Sequence, residues 1–222
     1  MAISGVIMMQ AFVHIIESPS DLDLLQDRKQ GGALGEALRL AEIPHSYNLV
    51  TTHDSFKMAL HDGLIQAMKY EPNKSPILHF TMHGDERGIE LTDKTYLSWD
   101  EIREFILPIY QALGELLICM SSCKGSSAFK MAKSKYDIPF LFLLGNNDLV
   151  SWSDATVAYI TFYHLIFKLG IENIRDHVEV MKMASGNDKF ELWGGNDVKQ
   201  YYKEKNLELL KNYLKKRAKN HS

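Results

Sequence analysis

The chain has 222 residues, of which 45% are hydrophobic and 24% are charged, and its formal net charge is −3. This composition is typical of one folded domain with a substantial core, and it excludes collagen-like and low-complexity chains. A net charge of −3 argues against a general nucleic-acid-binding protein, which needs a basic surface. The two cysteines, Cys119 and Cys123, cannot form a disulfide framework, so we expect a reducing, cytoplasmic compartment.

The N-terminal segment MAISGVIMMQAFVHII is apolar, but no Lys or Arg precedes its apolar stretch. It also runs directly into an expected core strand, so we predict no secretory signal. No apolar run reaches the roughly 18 residues that a membrane span requires. The sequence therefore predicts a protein without membrane association.

Short apolar runs alternate with helical patterns along the chain. Strands are expected at 12–17, 46–50, 76–82, 116–121 and 139–144, with a hairpin over 88–92 and 95–97 and a short strand at 190–193. Helices are expected at 33–41, 54–68, 99–113, 126–133, 153–169 and 172–185. We interpret Gly31-Gly32 as a break ahead of the first helix. Near-continuous apolar strands predict a mostly parallel α/β sheet with helices on both faces.

The C-terminal segment 199–222 is basic. It holds eight Lys or Arg and two Glu, a net charge of +6, which leaves −9 on the remainder of the chain. Leu207, Leu210 and Leu214 form an apolar stripe at helical spacing. We expect this helix to pack through its leucines on the domain formed by 1–198. The alternative is that it docks an acidic partner or nucleic acid, and it is the only candidate for such contact.

A histidine and a cysteine follow two neighbouring strands of the predicted sheet. His83 ends the third strand and Cys123 follows the fourth, so both should lie at the carboxyl edge where sites of α/β sheets gather. A thiol beside an imidazole is a nucleophile with its base. Gly84 and Gly125 permit close backbone approach, and the N–H groups of Gly84 and Cys123 could form an oxyanion hole.

Other cysteine and histidine residues, and other catalytic templates, have simpler interpretations. We expect Cys119 and His79, both within strands, to be core residues. The sequence contains no G-x-S-x-G elbow, phosphate-binding loop or H-E-x-x-H site. No cluster has metal-ligand spacing, so no metal or other cofactor is expected.

The segments HFTMHGD and LLICMSSCKGSSA resemble the His-Gly and Ser/Ala-Cys-x-Gly blocks of caspase-like (clan CD) cysteine peptidases. Downstream, Trp152, Asp154 and the pair Phe162-Tyr163, followed by FELWGG, look like the CHAT branch of that group. The resemblance covers roughly residues 76–195. It implies a three-layer caspase-like sandwich, a His83–Cys123 dyad and cleavage of a protein substrate through an acyl-thioester. It also implies a bacterial defence or regulated-death effector that awaits an activating partner or signal.

The sequence differs from the caspase-like peptidases that it resembles at the residues that bind the P1 side chain of the substrate. Metacaspases carry an Asp two residues before the catalytic cysteine, and this Asp binds a basic side chain at the P1 position of the substrate. In this sequence the corresponding residue is Ser121. The arginines by which caspases hold a P1 aspartate have no counterpart after the first strand. Ser121, Asp148 and Asp154 are the candidate substrate-binding residues. A catalytically inactive binding or scaffolding module, and a small-molecule thiol hydrolase or acyltransferase, are the alternative functions.

Overall fold

The computed structural model describes residues 10–219, and within them eight strands form one twisted sheet. The strands are β1 Ala11–Ser18, β2 His45–Leu49, β3 Ser75–Gly84, β4 Gly88–Glu90, β5 Tyr96–Ser98, β6 Leu117–Ser121, β7 Phe142–Asn146 and β8 Phe190–Gly194. The main path runs β2-β1-β3-β6-β7-β8. All its pairings are parallel except that of β7 with β8, while β4 and β5 form an antiparallel hairpin on β3. The predicted mostly parallel sheet is confirmed.

Helices cover both faces of the sheet. They are α1 Asp21–Leu25, α2 Gln30–Leu40, α3 His53–Met58, α4 Leu64–Tyr70, α5 Trp99–Leu113, α6 Trp152–Leu169, α7 Ile174–Ser185 and α8 Gly195–Lys219. A π-helical turn, Ala59–Gly63, joins α3 to α4, and a 3-10 helix, Gly125–Met131, follows β6. The N-terminal residues 1–9, part of the segment considered for a secretory signal, lie outside the described residues.

Alternate side chains of the strands supply two separate cores, one on each face. Phe12, Phe80 and Met120 pack against α3, α4, α5 and the 3-10 helix. Val13 and Cys119 belong to the opposite core, which α2, α6 and α7 cover. This two-sided burial follows from the period-two alternation of strand side chains. The result is the three-layer arrangement that the sequence predicts.

The interpretation of Gly31-Gly32 as a chain break is wrong, because both residues lie in the first turn of α2. The buried carboxylate of Glu17 accepts hydrogen bonds from the Gly31 and Gly32 backbone N–H groups, at 2.9 and 3.0 Å. A Cβ on Gly31 would lie 2.7 Å from Thr81 Cγ2, so a larger residue would hold the helix away from the sheet. An acid at a helix N-terminus satisfies amides that lack partners within the helix.

The C-terminal helix packs on the domain only through its first turns. Val198 is fully buried, and the Tyr202 hydroxyl donates to the Ala132 carbonyl. Beyond them, Leu207 and Leu210 are 48% and 54% exposed, so the prediction that these two leucines pack on the parent domain is wrong, and the side chain of Leu214 lies outside the described residues. Residues 203–213 of this helix are all exposed. No helix within residues 10–219 is long and apolar enough to cross a membrane.

His79 and Cys119 are core residues, as predicted. Both are fully buried, on the adjacent strands β3 and β6. His79 Nδ1 lies 2.8 Å from the Tyr163 hydroxyl, whereas Nε2 has no hydrogen-bond partner. Burial lowers the pKa of His79 to about 3, and it raises the pKa of Cys119 to about 12. Both side chains therefore stay uncharged at neutral pH.

The depressed pKa of His79 predicts a loss of stability in mild acid. Below its ordinary value of 6.5, the unfolded chain binds a proton that the folded chain excludes until the pH approaches about 3. The free energy of unfolding should therefore fall as the pH drops below 6.5, by up to about 1.4 kcal/mol per pH unit from this group. Urea unfolding between pH 7 and 5 measures that slope.

The His79→Gln variant supplies the control, because glutamine retains a hydrogen-bonding side chain but has no proton to gain. Its slope should be shallower than that of the wild type by about that amount, whatever its absolute stability. Parallel curves for the two proteins would show that His79 is protonated in the folded state.

Candidate active site

A small cleft opens at the carboxyl edge of β3 and β6. It has a volume of about 190 Å³. Its lining residues are Gln30, Met82, His83, Ser121, Ser122, Cys123, Val150, Ser151, Trp152 and Ala155. His83 and Cys123 therefore line one cleft, as the strand order predicts. No hydrogen bond joins their side chains in this structure.

Cys123 lies in a tight turn between β6 and the 3-10 helix. Its Sγ accepts a hydrogen bond from the Val150 N–H at 3.5 Å, and it lies 3.8 Å from the Val150 carbonyl oxygen. The next residue, Lys124, has a left-handed backbone with φ of 54°. Val150 was not expected from the sequence, because it lies 27 positions downstream of the cysteine.

Two glycines allow this turn to sit directly against β7. A Cβ on Gly145 would lie 2.5 Å from the backbone of both Gly125 and Ser126. A Cβ on Gly125 would lie 2.6 Å from the Met120 carbonyl oxygen. Since real Cβ atoms do not approach backbone so closely, the position of the cysteine depends on the absence of side chains at both residues.

His83 is held by Asp23, a residue that the sequence analysis did not select. His83 Nε2 lies 3.1 Å from Asp23 Oδ2, and the Trp152 ring stands edge-on to the imidazole with centroids 6.1 Å apart. The carboxylate can only accept, so the hydrogen of a neutral His83 lies on Nε2 and Nδ1 is left as an acceptor. The imidazole side chain is 46% exposed and remains accessible to substrate.

Asp23 itself is fixed from two sides. Its Oδ2 accepts from the Ser20 hydroxyl at 2.5 Å in the capping box of α1, and Oδ1 pairs with the Arg28 guanidinium at 2.8 Å. Burial alone would raise the pKa of Asp23, but hydrogen bonds from Ser20 and His83 outweigh it and lower that pKa. Asp23 is therefore an ionised carboxylate at neutral pH, and its side chain is 4% exposed.

Gly84 presents a backbone N–H on the side of the strand away from the hairpin. The Asp85 N–H donates to the Gly88 carbonyl at 2.9 Å, which makes that pair hydrogen-bonded. Gly84 pairs with Ile89, the next position in this antiparallel ladder. Hydrogen-bonded and non-hydrogen-bonded pairs alternate, so the Gly84 N–H is not used by β4. A Cβ on Gly84 would lie 3.2 Å from Ser122 Cβ, so its backbone borders the cysteine turn.

The three predicted substrate-binding residues do not lie together. Ser121 lines the cleft, but Asp148 and Asp154 are not among its lining residues. The Asp148 carboxylate pairs with Lys124 at 3.3 Å, and the Asp154 carboxylate accepts from the Asn187 amide at 3.3 Å. Within residues 10–219, no group of three or more His, Cys, Asp or Glu side chains could hold a metal ion.

Comparisons with known proteins identify the fold. No protein-family model matches the chain, and no curated protein matches it. Among solved structures it is similar to an inactive zymogen C11 protease from Parabacteroides distasonis, with a TM-score of 0.53 and 10% identity. That match covers 87% of this chain and 64% of the other. The fold is caspase-like.

A second solved structure is a secreted C11 cysteine protease from Bacteroides thetaiotaomicron in complex with an irreversible peptide inhibitor. It matches with a TM-score of 0.48 and 8% identity over 76% of this chain and 56% of its own. The chain thus spans less than two thirds of the length of both relatives. At 10% identity the likeness to the Parabacteroides distasonis protease concerns the fold alone, and with it the predicted three-layer caspase-like sandwich is confirmed.

The close approach at β7 predicts that Gly145 is intolerant of a side chain. Gly145→Ala should displace the cysteine turn and lower the free energy of unfolding by about 1–3 kcal/mol, because the new methyl group meets rigid backbone. Gly195→Ala is the matched control, since nothing lies within 4 Å of its added Cβ. Urea denaturation compares the two. Equal stabilities would contradict the packing described for the turn.

Proposed function

We propose that this protein is a cysteine endopeptidase that uses Cys123 as nucleophile and His83 as general acid and base. The supporting observation is that both side chains line one cleft while a buried carboxylate, Asp23, accepts from His83. A nucleophile, a base and a group that orients the base are the parts that acyl transfer needs. The caspase-like fold is consistent with this chemistry.

The proposed reaction begins with transfer of the Cys123 proton to His83 Nδ1. The thiolate then attacks the carbonyl carbon of the scissile peptide, and the resulting oxyanion binds to the N–H groups of Gly84 and Cys123. His83 donates its proton to the leaving amine, which frees the first product and leaves an acyl-thioester. Water, deprotonated by His83, hydrolyses the thioester and restores the thiol.

Asp23 acts in this scheme as a positioning residue. It holds the imidazole in the tautomer that leaves Nδ1 free, and its negative charge stabilises the imidazolium formed when Cys123 loses its proton. Its own position is set by Ser20 and Arg28, which keep the carboxylate aimed at His83. The arrangement serves base catalysis without Asp23 ever gaining the proton.

We also propose that the chain belongs to the CHAT branch and works as a cytoplasmic effector against a protein substrate. Support comes from Trp152, whose ring lies against His83, and from Phe162-Tyr163, which are fully buried in the core beneath β6. That branch implies an activating partner or signal. The exposed basic part of α8, which carries Lys203, Lys205 and Lys211, is the surface we assign to such a partner.

The catalytic assignment predicts selective labelling by a peptidyl acyloxymethyl ketone, which alkylates an activated thiolate. Peptide mapping should place the adduct on Cys123. Cys123→Ala should abolish labelling, and His83→Ala should slow it about 100-fold or more because the thiol loses its base. Cys119→Ala should label normally and lose some stability through the cavity it leaves.

The inactive binding module is the alternative that this experiment separates. A scaffold would not be labelled at Cys123 faster than an ordinary free thiol, and His83→Ala would leave that slow rate unchanged. Labelling that does not depend on peptide sequence would instead favour a small-molecule thiol hydrolase.

The role of Asp23 predicts that Asp23→Asn lowers kcat about 10- to 100-fold with little change in KM, because substrate still binds but the base is misoriented. Thr52→Ala is the matched control: it opens the equivalent capping box of α3 and costs about 0.5–2 kcal/mol, but Thr52 bonds to neither Asp23 nor His83. Peptide turnover across a pH range measures both variants. Equal losses of kcat would assign the effect of Asp23→Asn to a general loss of stability.

A further inference from the structure

The cleft beside Cys123 is lined without the charged side chains that would bind an oppositely charged substrate side chain. Among the described residues that line it, none is Asp, Glu, Lys or Arg. Its walls are apolar at Met82, Val150, Trp152 and Ala155, and its polar residues are uncharged apart from the titratable pair His83 and Cys123. The volume of about 190 Å³ is below the roughly 300 Å³ at which small-molecule sites begin, and it suits one side chain.

The charged groups nearest to the cleft are already engaged elsewhere. Asp23 is bound to His83 and Arg28. Glu17 is surrounded by the amides of α2 and the Tyr47 hydroxyl, which donates to it at 2.7 Å. Lys124 pairs with Asp148. None of these is left to neutralise a charge brought in by a substrate.

The floor of the cleft nevertheless offers hydrogen bonds. The Gln30 amide donates to Ser121 Oγ at 2.8 Å, and its oxygen accepts from the Thr81 hydroxyl at 2.7 Å. An amide nitrogen has two hydrogens, and only one of them is used by Ser121. Ser122, 2% exposed, has a buried hydroxyl with no hydrogen-bond partner at all. An unpaired buried hydroxyl is costly and marks a group that a ligand can satisfy.

We infer that this cleft is the S1 subsite, which binds the P1 side chain of the substrate. It selects an uncharged, hydrogen-bonding side chain, a short carboxamide such as Asn or Gln. The inference rests on the proposed peptidase function and specifies its substrate. A basic or acidic P1 group would lose its hydration without meeting an opposite charge. A hydrocarbon side chain would exclude water while leaving the Gln30 N–H and the Ser122 hydroxyl unpaired.

The experiment uses the full chain and a set of fluorogenic peptides that differ only at P1: Asn, Gln, Ser, Leu, Arg, Lys, Asp and Glu. Acyloxymethyl ketones with the same P1 residues provide a second readout at Cys123. The carboxamides should exceed Arg, Lys, Asp and Glu in kcat/KM by about tenfold or more, and should also exceed Leu. Gln30→Leu should remove the advantage over Leu.

A change of one floor residue should redirect the preference. Ser121→Asp places a carboxylate in the cleft and should make Arg and Lys the preferred P1 residues. Ser153→Asp is the matched control, because it adds the same charge at an exposed position outside the cleft lining and should leave the P1 order unchanged.

The outcomes separate this inference from the proposed function. Cys123-dependent cleavage or labelling led by a charged residue or by Leu would overturn the inference and leave the peptidase assignment intact. No Cys123-dependent reaction with any member of the series would overturn both.

Discussion

The site depends on the register between two parallel strands. β3 pairs with β6 so that Thr81 lies opposite Ser121, and His83 and Cys123 each come two residues later. Parallel strands present their carboxyl ends at the same edge, so one register fixes both reactive groups at one level of the sheet. A slip of a single residue would turn one of them to the other face. The apolar side chains of both strands, buried in two cores, prevent such a slip.

The buried Glu17 positions the other part of the cleft, the floor formed by Gln30 and Ser121. The carboxylate draws the first amides of α2 onto the end of β1, and the small size of Gly31 lets the helix come that close to Thr81. Gln30, the first residue of α2, is thereby placed over the ends of β3 and β6, where it bonds to both Thr81 and Ser121. A charge that the chemistry never uses thus positions the neutral floor of the cleft.

Sequence reasoning succeeded where one local pattern determines the structure. The apolar runs predicted the strands, and the helix predicted at 99–113 is α5, which begins at Trp99 behind a capping box of Ser98 and Glu101. The residues that it missed act over long separations: Asp23 meets His83 across 60 positions, and Gln30 meets Ser121 across 91. The periodic spacing of apolar residues, which predicts helices and strands, does not predict contacts between residues so far apart in the chain. The interpretation of Gly31-Gly32 was wrong because adjacent glycines usually interrupt a helix. Here the Glu17 carboxylate of β1 accepts from their N–H groups and stabilises the start of α2.

The central claim is that Cys123 becomes acylated during turnover, and acid-quenched intact-mass analysis tests it most directly. A cleavable peptide with a P1 carboxamide is mixed with a slight excess of enzyme and quenched at successive times. We predict a transient mass increase equal to the acyl part of the peptide, mapped to Cys123, released by hydroxylamine and absent from Cys123→Ala. Cleavage of the same peptide by Cys123→Ala, with no adduct on the wild-type protein, would contradict it.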